Sequence, residues 1–299
     1  MARAIARALA SAPSRRAPMP TSPIAVPADR SVDPIVKWAG GKTRLLGELT
    51  QRMPSPKQWT GRYFEPFAGG LALYFHMRPT SAVLADMNPE LINLYRVVRD
   101  QPDALVDDLQ RHTAESTYFY AVRALDPAAM TPIERASRFV FLNRTCFNGL
   151  WRVNRAGQFN VPFGRYDNPN LCPETRIRAA SQALAGASID HADFESACVT
   201  ARRGDFVYFD PPYDPITKTA RFTSYTSGNF GDDDQRRLAD LFRRLARRGV
   251  RCMLSNSDTP FMRELYADFA IDTVMAPRAI SRDATRRTPV REVVVRSYA

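Results

Sequence analysis

The sequence predicts an α/β protein: a doubly wound, Rossmann-like sheet interrupted by an inserted module of helices and a β-hairpin. Three observations carry that prediction. Residues 61–88 contain GRYFEPFAGG, LALYFHM and SAVLADMN. These read as a buried strand breaking into a glycine turn at Gly69 and Gly70, an apolar helical segment, and a second buried strand ending at Asp86, the succession that opens a doubly wound sheet. From about residue 95 to 190 the pattern changes to helices, then to an irregular glycine- and asparagine-rich stretch. It returns to strand, helix and strand in DFVYFDPPY, RRLADLFRRLARRG and RCMLSNS. The chain therefore divides into a disordered basic tail (1–30), an α/β domain assembled from 31–95 and 190–299, and an insert (96–189).

Taken in order, residues 1–30 carry five arginines, one acid at Asp29, and many Ala, Ser and Pro. The composition resembles a transit peptide, but the proline spacing spoils an amphipathic helix, so a disordered tail or an over-long start is expected. Leu45, Leu46, Leu49 and Met53 in TRLLGELTQRM fall at helical spacing, which places Gly40 and Gly41 in the turn that opens this helix. Gly41-Lys42-Thr43 imitates the end of a phosphate-binding loop. The glycine that such a loop needs five residues earlier is Val36, so the motif fails. Pro89 starts a helix over PELINLYRVVRD, and DALVDDLQRH and PIERASRFVFLN read as helices of the insert. Between LWRV and QFNV, the tetrapeptide NRAG reads as a hairpin turn, with arginines alternating with aromatics around it.

Lys and Arg number 42 against 31 Asp and Glu, a net charge of +11, so a polyanionic partner is the first electrostatic expectation, against a merely solvated basic surface. Cys146, Cys172, Cys198 and Cys252 are widely spaced and form no C-x-x-C pair, and only three histidines stand beside them to complete a metal site. Reduced thiols in a cytoplasmic protein without a metal are expected. No apolar run approaches the roughly 18 residues that would span a bilayer.

The chemistry concentrates where the strand DFVYF runs into Asp210-Pro211-Pro212-Tyr213. A carboxylate at the C-terminal end of a strand faces the crevice where open α/β sheets bind ligands. Two prolines fix the chain and leave backbone carbonyls with no helix to enter. The Asp210 side chain and the Pro211 carbonyl then offer two acceptors beside the aromatic face of Tyr213, which together suit an exocyclic amino group on a flat base. A rigid strand exit alone would explain the prolines but not the carboxylate and tyrosine together.

Six blocks in order, KWAGGK (37–42), FEPFAGG (64–70), DMNPELINLY (86–95), FNGLWRVNRAGQFNVPFGRY (147–166), DPPY (210–213) and SNSD (255–258), resemble the Dam-like, or D12, class of adenine-N6 DNA methyltransferases over about residues 34–298. The resemblance implies a Rossmann-like methyltransferase domain dependent on S-adenosyl-L-methionine, with residues 96–189 as its target-recognition insert. It implies that Trp38 and Lys42 are cofactor contacts, that Phe67, Gly69 and Gly70 wall the methionine part, that Asp86 accepts from the ribose hydroxyls, and that Phe194 lies beside the adenine ring, with Asp210 also at the cofactor. Asp86 as an N-cap ahead of Pro89 is the plain alternative.

The reaction follows from physical chemistry. Adenine N6 is a poor nucleophile because its lone pair is delocalised, whereas a sulfonium methyl is already a strong electrophile. Acceptors at Asp210 and Pro211 would favour a tetrahedral, positively charged nitrogen in the transition state, and in-line transfer then needs alignment but neither a covalent intermediate nor a metal. A cytosine-C5 enzyme would instead need a nucleophilic cysteine, usually after a proline, and none of the four follows one.

In a duplex the base must be flipped out, and Tyr213 could stack on it, with Phe222 and Tyr225 closing over it. By resemblance, Lys37, Phe147, Asn148, Leu150, Arg152, Pro162 and Arg165 face double-stranded DNA, and GATC is the target; Arg144 is a further candidate for guanine edges or phosphates. A structural hairpin with solvated arginines is the alternative. Arg278, Arg282, Arg286 and Arg287 are candidates for phosphate contacts or plain surface charge. No membrane and no obligate protein partner is expected; a cognate restriction endonuclease acting separately fits the family. A protein glutamine-amide methyltransferase and a catalytically dead DNA-binding relative remain the alternatives.

Overall fold

The computed structural model describes residues 32–55, 57–216, 230–276 and 289–299. A seven-stranded sheet runs in the order β3-β2-β1-β4-β5-β7-β6, where β1 is Tyr63–Glu65, β2 Ala82–Asp86, β3 Ala187–His191, β4 Phe206–Phe209, β5 Arg251–Ser257, β6 Ala270–Ala276 and β7 Val290–Arg296. The first five strands in that order are parallel. The last strand of the chain, β7, inserts antiparallel between β5 and β6. The order reverses at β1, which pairs β2 on one side and β4 on the other. Ligands bind outside the carboxyl ends of the strands at such a switch point, and both the FEPFAGG and DPPY segments leave the sheet there.

The elements between strands follow from local signals. α1 (Leu46–Gln51) follows a 3₁₀ turn at Thr43–Leu45, and α2 (Ala72–Met77) packs five of its six residues inward. α3 (Pro89–Asp100) starts where expected because Asn88 caps it, its Oδ1 accepting from the N–H groups of Glu90 and Leu91 ahead of a proline at the first position. α6 (Pro132–Thr145) opens with a capping box between Thr131 and Glu134. α4 (Pro102–Leu109), α5 (Ser116–Ala124) and α7 (Glu174–Leu184) complete the central segment. α8 (Phe194–Ala197) is a single turn, and α9 (Asp232–Arg247) and α10 (Pro260–Leu265) follow β4 and β5.

One face of the sheet is covered by α3, α6 and α7: Leu91, Tyr95, Phe139, Val140 and Ile177 belong to one buried cluster with Tyr63 and Leu84 of the sheet. The opposite face packs Phe64, Val207 and Leu254 on Leu238, Phe242 and Leu245 of α9. Burying each of these large side chains is worth about 1.5–3 kcal/mol, so α6 and α7 are welded to the sheet through α3. A third, smaller cluster, including Phe119, Phe141, Phe159 and Val161, lies beneath the hairpin. Among the described residues no helix is long and apolar enough to cross a membrane.

Candidate active site and nucleic-acid interface

Beyond β1 the chain turns at Gly69, which adopts a φ of +45° that an L side chain rarely tolerates. A Cβ there would lie 2.9 Å from Cδ1 of Trp38, so this glycine lets the indole lie directly on the turn. The turn is tied on both sides. The Gly69 N–H donates to Asp86 Oδ2 at 2.9 Å, and Tyr95 donates its hydroxyl to the Gly69 carbonyl at 2.6 Å. Asp86 Oδ1 accepts from the Asn88 N–H at 2.9 Å. Asn88, not Asp86, caps α3, so the N-cap alternative for Asp86 does not hold. Burial pushes the Asp86 carboxyl above its usual range, and the two backbone N–H groups oppose that rise. Each oxygen keeps a second acceptor position.

Beside this turn, Phe67 and Phe194 stack at 5.5 Å and Phe230 meets both edge-on, at 5.5 and 5.8 Å. The Arg237 guanidinium lies 5.0 Å over the Phe194 ring.

At the end of β4, Asp210 Oδ1 takes the Lys42 ammonium at 2.7 Å and the Ser255 hydroxyl at 2.9 Å. Ser255 in turn meets the Tyr208 hydroxyl at 2.8 Å. Among the described residues Oδ2 and the Pro211 carbonyl carry no hydrogen bond, whereas the Pro212 carbonyl accepts from Gln235 Nε2 at 2.9 Å. Asn256 Oδ1 accepts the Asp214 N–H at 2.9 Å, and Tyr213 donates its hydroxyl to Glu292 at 2.8 Å. The loop is thus tied at Asp210 Oδ1, the Pro212 carbonyl, the Tyr213 hydroxyl and the Asp214 N–H, and Asp210 and Pro211 both line the cleft. Burial pushes the Asp210 carboxyl up; the ammonium of Lys42 and the hydroxyl of Ser255 hold that rise back. Lys42 is itself buried, with its ammonium 4.6 Å from the centre of the Tyr213 ring and donating to the Gly40 carbonyl at 2.6 Å.

The hairpin forms as NRAG suggested: Val153 bridges Phe159, the Gly157 N–H donates to the Asn154 carbonyl at 2.9 Å, and Gly157 has a φ of +76°. Arg152 and Arg165 are exposed, and Arg152 Nε donates to Asn160 Oδ1 at 2.7 Å. Phe147, Asn148 and Pro162 are also exposed, the Phe147 N–H donating to the Pro162 carbonyl, while Leu150 packs partly into the core beneath the hairpin. The exposed Lys37 sits over the Tyr166 ring at 4.6 Å. Arg144 is half-buried and donates to the Ile35 carbonyl at 2.7 Å, tying the segment before KWAGGK to α6. Phe222, Tyr225, Arg278, Arg282, Arg286 and Arg287 lie outside the described residues.

A cleft of about 2470 Å³ joins these parts. Trp38, Lys42, Phe67, Gly69, Gly70, Asp86, Phe194 and Asp210–Tyr213 all line it, and so does the hairpin from Trp151 to Asn160. Lys37, Arg144, Phe147, Asn148, Leu150, Pro162 and Arg165 do not. A run of aromatic rings connects the two ends: Trp38 stacks on Phe139 at 6.1 Å, Phe139 on Trp151 at 3.8 Å, and Trp151 meets Phe159 at 4.8 Å.

Several residues of the site carry no role in the sequence reading. Glu65 ends β1 fully buried, accepts from the Tyr63 hydroxyl at 2.7 Å, and has its carboxyl pushed up to about 8, chiefly by burial. Ser255 and Asn256 lie within the SNSD block, which was a usable signal. Glu292 gave none, because it reaches Tyr213 only through the antiparallel β7.

A family model described as D12 class N6 adenine-specific DNA methyltransferase matches residues 38–280. The chain is 43% identical over 273 residues to the type II methyltransferase M1.LlaDCHI of Lactococcus lactis subsp. cremoris, covering 89% of this chain and 95% of that one. It is 37% identical over 287 residues to the type II methyltransferase M.MjaIII of Methanocaldococcus jannaschii, with 89% and 99% covered. Against a DNA adenine methylase of Haemophilus influenzae it is 35% identical over 267 residues, with 87% and 92% covered.

Proposed function

The chain belongs to the D12 class of N6 adenine-specific DNA methyltransferases, and from that premise we propose that it methylates adenine within GATC in duplex DNA, by direct transfer onto a base flipped into the Asp210–Tyr213 pocket. The single observation that carries the proposed chemistry is the pair of acceptors, Asp210 Oδ2 and the Pro211 carbonyl, that are open among the described residues, in a loop tied at Asp210 Oδ1, the Pro212 carbonyl, the Tyr213 hydroxyl and the Asp214 N–H. A target amine hydrogen-bonded to both is drawn toward the tetrahedral geometry that transfer requires, and the interaction strengthens as positive charge develops on nitrogen.

S-adenosylmethionine is the methyl donor of the class, and it supplies a methyl group already activated by its sulfonium. The residues lining the cleft fit it: the Gly69 turn under Trp38 leaves no space for a side chain, Asp86 retains acceptor positions for vicinal hydroxyls, and the mutually packed Phe67, Phe194 and Phe230 form an apolar wall for a flat ring to lie against. Lys42 opposes the rise that burial imposes on the Asp210 carboxyl and so favours its acceptor form.

In this reading residues 96–189 supply target recognition. The hairpin carrying Arg152 enters the major groove, Lys37, Phe147, Asn148, Leu150, Pro162 and Arg165 extend the DNA face, and Arg144 supports it from behind. The preference for GATC rests on the likeness of this stretch to the Dam-like hairpin. The four cysteines are free thiols, which suits a reducing cytoplasm. The type II names of two relatives suggest pairing with a separately acting restriction endonuclease. Transfer of labelled methyl from S-adenosylmethionine to two duplexes differing only at a GATC tests the reading: label on the GATC adenine alone supports it, and equal label on both removes the site assignment.

A further inference from the structure

Glu292 belongs to no motif of the sequence, yet the fold delivers it to the Tyr213 side chain of the site. It lies on β7, opposite Ser257 of β5 and Val274 of β6, and so is held by strands on both sides. Its Oε2 accepts the Tyr213 hydroxyl at 2.8 Å. The same ring has the Lys42 ammonium 4.6 Å from its centroid, and the backbone on both sides of it is fixed by Gln235 and Asn256. A phenol ring has two torsions to settle. Packing against Lys42 constrains one face, and the bond to Glu292 restrains the swing of the far end.

We infer that Glu292 is a positioning residue for methyl transfer: by holding the Tyr213 hydroxyl it fixes the ring against which the target adenine stacks, without itself touching the base. The inference rests on the proposed stacking role of Tyr213. The bond also occupies the hydroxyl, so Tyr213 presents a ring face and not a polar group to the base. A carboxylate serves this purpose better than a neutral acceptor because charge-assisted hydrogen bonds are shorter and stronger, and Glu292 is half-buried between β5 and β6. Partial burial raises its carboxyl, the bond from Tyr213 opposes that rise, and among the described residues Lys42 favours the ionised form while Asp210 disfavours it.

The test is a double-mutant cycle in the full-length enzyme, read by single-turnover methyl transfer and by fluorescence of 2-aminopurine at the target position. Misplacing a reacting group by a fraction of an ångström is costly, so Glu292→Ala is expected to lower the transfer rate about tenfold while the affinities for cofactor and duplex stay within about twofold. Tyr213→Phe should reproduce that loss, and the double variant should be no slower than either single one. Glu292→Gln retains an acceptor oxygen and should recover most of the rate, which separates lost positioning from a damaged fold. If Tyr213→Ala is slow but Glu292→Ala transfers at the wild-type rate, or if the two losses multiply, Glu292 does not act through Tyr213 and the inference falls. If Tyr213→Ala itself keeps the full rate and the full fluorescence change, the stacking reading falls first.

Discussion

Lys42 and Asp210, 168 positions apart in the chain, meet at 2.7 Å beneath the cleft. The lysine that imitates a phosphate-loop residue is therefore engaged with the acid of DPPY, and the glycines before it shape a turn that carries it inward, with the Gly40 carbonyl accepting a second proton of the same ammonium.

Replacing Lys42 with Met leaves a buried carboxylate without its cation. Removing one partner of a buried pair costs about 3–5 kcal/mol, and the low end applies because Asp210 keeps some exposure. The Asp210 carboxyl, already raised by burial, then rises further, so the acid limb of the transfer rate moves to higher pH. A pH–rate profile that does not move would show that Lys42 does not set the state of Asp210.

Glu65 makes stability depend on pH. Its carboxyl titrates near 8 in the folded chain and near the ordinary 4.5 when unfolded. The proton is held more tightly in the native state, so this group's contribution is fully present below about 4.5 and is lost as pH rises toward about 8. Urea unfolding at several pH values should show Glu65→Gln with a flatter dependence over that window than the wild type, and an unchanged slope would contradict it.

Gly69→Ala forces a side chain into a left-handed backbone and against the Trp38 indole. A stability loss of about 1 kcal/mol or more is expected. Titration calorimetry should show cofactor affinity falling by a larger factor than duplex affinity; equal loss of both would mean that the turn is only structural.

Arg152→Ala removes an exposed guanidinium from the hairpin without touching the core. It should relax discrimination at one base pair by about 1–3 kcal/mol if the contact is bidentate. Competition with duplexes altered at each position of the site measures this, and an unchanged preference takes Arg152 out of the readout.

Much of the α/β frame was legible because its signals are local. Asn88-Pro89 marks the first turn of α3, and the apolar run of β4 into two prolines marks a strand exit whatever the tertiary context. Proline and glycine punctuation likewise exposed both the hairpin and the turn at Gly69. Long-range partners were not legible. No periodicity tells that the last strand returns antiparallel between β5 and β6, so Glu292 could not be paired with Tyr213 in advance. Arginine is ambiguous in the same way: Arg144 suits a phosphate and a backbone carbonyl equally, and only the fold puts Ile35 within 2.7 Å of it. Lys42 was legible as a residue of the site but not as the partner of Asp210.

The central claim is that Asp210 activates the target amine and does not merely hold the loop. Single-turnover methyl transfer by Asp210→Ala, measured beside its affinities for cofactor and duplex, tests it most directly. Transfer should fall by roughly a thousandfold or more with duplex binding largely kept. Transfer at a rate near wild type, or loss of transfer together with both bindings, would contradict it.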